Sequence, residues 1–197
     1  IDAKAQRFAD AALYLLDEGA TGAGAAWFVP GRIEVLGKHT DYCGGRSLVA
    51  AAERGICLVA AARRDSQVRV RALDRDQGVQ FTLGPDLQVQ HGDWCNYPMT
   101  VARRLARNFP EACDTGAEIA FGGDLPPAAG MSSSSALIVA TYLALAEVNE
   151  VEGTQRFRAA VADDLARAEY LGTHENGQSY GDLNGDLGVG TFGGSED

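Results

Sequence analysis

The stretch that most constrains the fold is Ser47–Ala62, which is apolar except at Ser47, Glu53 and Arg54. Burying such a stretch requires a core on at least one side, and its β-branched and Ala-rich make-up reads as a buried strand or a strand pair. It falls short of the ~18 apolar residues that a membrane-spanning helix requires. A chain of 197 residues can supply one substantial core, or one domain plus part of another. The 46% hydrophobic and 22% charged content fits a soluble globular protein.

Other elements arrange themselves around that stretch. Phe8, Ala12, Leu15 and Leu16 recur at helical spacing within Ala3–Glu18, and Gly19 stops the helix. Trp27-Phe28-Val29 reads as a strand entering a turn at Pro30-Gly31. Gln67–Ala72 and Gly78–Leu83 alternate polar and apolar residues and read as antiparallel strands joined across Asp74–Gln77. Trp94–Asn108 reads as a helix and Ala117–Phe121 as a strand. Two helices follow, about Ser133–Glu150 and about Gln155–Leu171, and then a Gly-rich stretch, Gly172–Gly194. A loop of that length is functional or mobile. Strands interleaved with helices, without repeats, predict an α+β layered fold.

Charge and cysteine content narrow the function. The formal net charge of −10 argues against a nucleic-acid partner, which needs clustered Lys and Arg. Cys43, Cys57, Cys95 and Cys113 form no CxxC pair, which argues against structural zinc, and they are expected as reduced thiols in a cytoplasmic protein. The polar opening Ile1-Asp2-Ala3-Lys4 does not read as a signal peptide, and no membrane partner is expected.

Three segments carry candidate chemistry. Pro30–Gly45 packs Arg32, His39 and Asp41 into a short glycine-flanked turn, a costly density of ionisable groups unless they serve a site. Gly123–Ala136 runs small residues straight into a helix, where Ser132 or Ser133 can cap and the free first-turn amides form an anion cradle. Gly190–Asp197 ends a glycine loop in an acidic pair that could be a base, a metal ligand or a solvated turn. Two look-alikes fail. Gly31–Lys38 has five residues between its glycines and His39 after the Lys, so it is not a P-loop. Gly188–Gly193 matches GxGxxG but lacks a preceding strand and an obvious following helix.

Together these segments resemble the galactokinase branch of the GHMP kinases. Gly31-Arg-Ile-Glu-Val-Leu-Gly-Lys-His-Thr-Asp-Tyr-Cys-Gly-Gly45 is similar to the galactokinase signature GRxNxIGEHTDYxGG, and Pro126–Ala136 to the phosphate loop PxxxGLSSSAA. Trp94-Cys-Asn-Tyr97 resembles the W-x-NY that precedes a helix in that family, and the end of the chain resembles the segment that closes on its catalytic Asp. The resemblance implies the GHMP kinase N-terminal α+β fold, a mixed sheet with helices on one side, over residues 1–197. It also implies a C-terminal GHMP domain outside this chain, so that the isolated fragment is expected to be inactive.

The resemblance implies an ATP-dependent transfer to a sugar hydroxyl, the C1 hydroxyl of galactose or of a related sugar or uronic acid. It assigns Asp197 to orienting or deprotonating that hydroxyl, and Arg32 to neutralising developing phosphoryl charge. Lys38, His39 and Asp41, with Asp197, fall on sugar ligands. Gly130, Met131, Ser132, Ser133, Ser134 and Ser135 fall on the ATP phosphate loop. Mg²⁺ is expected on Ser134 and on Glu175 of the Glu175-Asn176 pair, with Glu169 the fallback.

The chain departs from the family pattern at four points. Lys38 replaces a Glu, and exchanging an acceptor-only carboxylate for a donor-only ammonium changes which substrate group is welcomed. Ala128-Ala129 replace glycines, the Glu175–Asp197 spacing is longer than the pattern leads one to expect, and Ser195-Glu196 replace an apolar pair. The alternatives are a sugar-and-ATP sensor without turnover, and another GHMP kinase acting on a small alcohol such as mevalonate or homoserine.

Overall fold

The computed structural model describes residues 2–22, 24–37, 45–89, 93–126 and 129–189. In order, these form α1 (Asp2–Asp17), β1 (Gly24–Leu36), β2 (Leu48–Ala62), β3 (Gln67–Ala72), β4 (Gln77–Thr82), α2 (Asn96–Asn108), β5 (Ala117–Gly123), α3 (Ser133–Val148), α4 (Gln155–Ala160) and α5 (Asp164–Asn176). The strands make one five-stranded sheet in the order β1-β2-β5-β3-β4. All neighbours are antiparallel except β3 and β5, which run parallel with Val68 opposite Ala117. The chain between β4 and β5 contains α2, the helical crossover a parallel pair requires.

The pleat sorts the sheet into two faces. Leu58, Ala60, Val68, Val70 and Ile119 point into the main core, where α2 and α3 supply Leu105, Ala106, Ile138 and Tyr142. Val59 and Ala120 point the opposite way, against Ala11 and Leu15 of α1. The fold is therefore α+β with a mixed sheet, as expected. It differs in that helices are not confined to one side, because the apolar stripe of α1 closes the second face.

Two further expectations change. β1 does not turn at Pro30-Gly31 but continues to Leu36, so Arg32 lies on a strand. Proline is tolerated because β1 is an edge strand and the register shifts between Pro30 and Arg32. The single helix expected over Gln155–Leu171 is two. Val161 is extended, and the Asp163 carboxylate accepts from the Ala166 N–H at 2.8 Å to start α5 afresh. α5 then runs through Gly172 and ends at Gly177, whose φ of 74° suits a left-handed helix terminus. The described part of the Gly-rich tract continues from Gly177 to Val189.

Among the described cysteines, Cys57, Cys95 and Cys113 are buried, and burial pushes the Cys113 thiol up to about 12. Among the described residues no helix is long and apolar enough to cross a membrane.

Candidate functional site

The site grows from the entrance to α3. The chain leaves β5 at Gly123 and reaches the helix through Gly130 and Ser132, both left-handed, with φ of 67° and 51°. Ser132 is the residue that precedes the helix, and its carbonyl accepts the first helical bond from Ala136 N–H at 3.0 Å. Its side chain makes no capping bond, contrary to the expected serine cap. No side-chain cap takes up the first-turn amides of α3, so they keep the positive partial charge that draws an anion.

β1 is stitched directly to this entrance. The Arg32 N–H donates to the Met131 carbonyl at 3.1 Å. Gly31 permits the approach, because a Cβ there would stand 2.8 Å from that same carbonyl and 2.5 Å from Leu125 Cδ2. Arg32 is thereby half-buried beside the serine segment.

The last turn of α5 closes the other side. Ser135 Oγ donates to Glu175 Oε2 at 2.7 Å, and Glu175 is only 7% exposed. A carboxylate next to a helix N-terminus is favourably placed. Glu169 lies elsewhere, accepting from the Tyr180 hydroxyl at 3.2 Å on an exposed surface. Tyr97 stands near enough that, after burial, the Glu175 charge is the next cause raising its phenol pKa.

The start of α3 opens on a cavity of about 690 Å³, in the range of small-molecule sites, while Ser135 and Glu175 line a separate one of about 200 Å³. In the larger, Ser133 and Ser134 form one wall and Trp94, Phe121 and Leu125 another, with Asp74 and Arg75 also on its lining. Trp94 and Phe121 meet edge to face, centroids 6.0 Å apart. Consecutive serines thus serve different neighbours, with Ser133 and Ser134 on the cavity and Ser135 turned to Glu175. Among the described residues no cluster of three or more His, Cys, Asp or Glu could hold a metal alone. One buried carboxylate beside serine hydroxyls still fits Mg²⁺, which takes one or two protein oxygens and completes its shell with water and phosphate.

Lys38, His39, Asp41 and Asp197 lie outside the described residues. Those described, Arg32, Gly130, Met131, Ser132, Ser133, Ser134, Ser135 and Glu175, come together at the entrance to α3.

The sequence reading missed how the chain beyond α5 returns. The Val189 N–H donates to the Glu175 carbonyl at 3.0 Å, so the chain from Gly177 to Gly188 is an excursion closed at its base. The extra length between Glu175 and Asp197 is largely taken up in that excursion. Asn96, on α2, donates to the Val189 carbonyl at 2.6 Å. Its signal was present: Asn96, Thr100, Arg103, Arg104 and Asn108 make a polar stripe at helical spacing, and all five are buried.

The chain is similar to known proteins in both sequence and fold. Residues 18–62 match the galactokinase galactose-binding signature, and residues 96–178 the GHMP kinases N terminal domain. A galactokinase from Actinobacillus pleuropneumoniae is 36% identical over 110 residues, covering 56% of this chain and 28% of the relative. One from Exiguobacterium sibiricum is 40% identical over 114 residues, covering 56% and 29%. The chain thus matches under a third of the length of these curated relatives. The crystal structure of Lactococcus lactis galactokinase complexed with galactose superposes with a TM-score of 0.74 at 24% identity, covering 96% of this chain and 44% of that one. That of Methanococcus jannaschii mevalonate kinase gives 0.59 at 14% identity, covering 84% and 49%. A strand-anchored arginine, a serine-lined helix entrance and a buried glutamate, on this fold and with both sequence signatures, make the chain a galactokinase-like member of the GHMP kinase superfamily.

Proposed function

We propose that the protein transfers the γ-phosphoryl group of ATP to a hydroxyl of galactose or of a closely related sugar or uronic acid. The observation that carries this reading is the direct bond from the Arg32 strand to Met131 of the serine entrance, with Glu175 held at the same entrance by Ser135. First-turn amides of α3 receive the phosphates, and the apolar wall of Trp94 and Phe121 suits the base. Arg32 neutralises charge developing on the transferred group, and Asp197 takes the proton of the attacking hydroxyl. The new bond forms from that oxygen to phosphorus as the bond to the bridging oxygen breaks and ADP leaves. Mg²⁺, held by Glu175 and Ser134, would supply charge neutralisation on the phosphates. Lys38, His39 and Asp41 orient the sugar.

The test is ADP release across a panel of hexoses, pentoses and uronates, with a polypeptide of the relatives' full length. Release with a galactose-type sugar is expected. Sugar and ATP binding without any release would leave the sensor reading in its place. If Lys38 pairs with a substrate carboxylate, galacturonate is turned over faster than galactose; a strong preference for galactose removes that refinement.

A further inference from the structure

The buried polar stripe on α2 bonds chiefly to the last turns of α5 and to the chain that follows it. Arg103 Nε donates to Asp186 at 2.8 Å, and this pair is only 7% and 2% exposed. Arg104, fully buried, donates to the Thr173 carbonyl at 2.9 Å, and to the Thr173 hydroxyl and the Gln178 carbonyl at 2.7 Å each. Thr100 reaches the Gly188 carbonyl at 3.3 Å. Asn108 both donates to the Asn184 carbonyl, at 3.0 Å, and accepts from the Asn184 N–H, at 2.7 Å. Asp186 in turn accepts from the Gly188 N–H at 2.7 Å.

These bonds bracket Glu175 on both sides in sequence, at Thr173 and at Gln178. They also reach Gly188, next to Val189, whose N–H closes on the Glu175 carbonyl. Charged hydrogen bonds to buried partners are the stronger kind, and one arginine fork can fix several acceptors at once.

We propose that Arg104 and Asp186 are positioning residues: through them α2 sets the placement of the Glu175 carboxylate at the α3 entrance. This rests on the kinase reading for its consequence, not for its geometry. Outer-shell partners of a metal carboxylate typically change metal affinity by about 10- to 100-fold when lost.

The experiment uses Arg104→Lys and Asp186→Asn in a polypeptide of the relatives' full length, with two readouts on each variant and on the unaltered protein. The first is amide hydrogen exchange of residues 177–189 against that of α3. The second is the Mg²⁺ dependence of ATP binding, followed by Trp fluorescence or calorimetry. Faster exchange confined to 177–189, together with at least about a tenfold higher Mg²⁺ requirement at little changed metal-free ATP binding, is expected. Unchanged exchange in both variants overturns the proposal, as does faster exchange with an unaltered Mg²⁺ requirement. A polypeptide of the relatives' full length, otherwise unaltered, that binds no Mg·ATP overturns the kinase reading and the positioning role with it, a result distinct from the other two. Should Arg104→Lys unfold the chain, the isosteric Asp186→Asn carries the same test.

Discussion

Gly188 and Gly181 share a left-handed backbone, with φ of 55° and 53°, yet they sit in opposite surroundings. A Cβ on Gly188 would lie 2.3 Å from the Glu175 carbonyl, whereas one on Gly181 meets nothing within 4 Å. Gly181→Ala is expected to cost about 1 kcal/mol, and Gly188→Ala more than about 2 kcal/mol, since only the latter adds a clash to the strain. Urea denaturation of the two variants checks the difference. His174 gives a second residue-scale test. It is 0% exposed, with its rings against Tyr170 and Tyr142, and burial, aided by Arg104, lowers its pKa from 6.5 to about 3. The folded protein keeps it neutral while the unfolded chain protonates below its ordinary pKa. Stability is therefore lost as pH falls from about 6.5 toward about 3, at roughly 1.4 kcal/mol per unit. His174→Leu should flatten that part of the stability–pH curve.

At the scale of elements, α5 separates two roles along one helix. Its start rests on the Asp163 cap and its last turn carries Glu175. Asp163→Ala should cost about 1 kcal/mol, read as a lower denaturation midpoint, and leave the Mg²⁺ dependence of ATP binding unchanged. Most elements were legible in the sequence because period-2 and period-3.6 patterns carry burial directly. β3 and β4 alternate, and α3 begins where the serines meet the Ala- and Leu-rich run. The break between α4 and α5 was not legible, since the helical pattern continues through Val161 and only the capping bond reveals the stop. At the site, the entrance to α3 could be located from its small residues and serines. The left-handed Ser132, the Ser135 contact with Glu175 and the closed excursion could not. They depend on backbone angles and on bonds between residues far apart in sequence, about which periodicity is silent.

At the scale of the whole molecule, the described residues include an area that departs from the usual layering of apolar inside and polar outside. The far halves of β1 and β2 project as a two-stranded ribbon, leaving Ile33, Val35, Leu36, Leu48 and Val49 at least 45% exposed. A contiguous apolar surface of this kind favours association. The chain is expected to scatter light more as concentration rises, and Leu36→Gln with Leu48→Gln to reduce that scattering while shifting stability by no more than about 0.5 kcal/mol. Unchanged scattering in the double variant would show that another surface drives association.

The excursion after α5 has a practical corollary. Tyr180 and Leu183 exchange two backbone bonds around Gly181-Asp182, an exposed reverse turn at the end of a segment whose two feet are already fastened at Glu175 and Val189. Spatial distance at the feet is thus decoupled from contour length at the tip. A fluorophore-bearing or affinity peptide spliced between Gly181 and Asp182 would trail into solvent and report on the nearby cavity without stretching it.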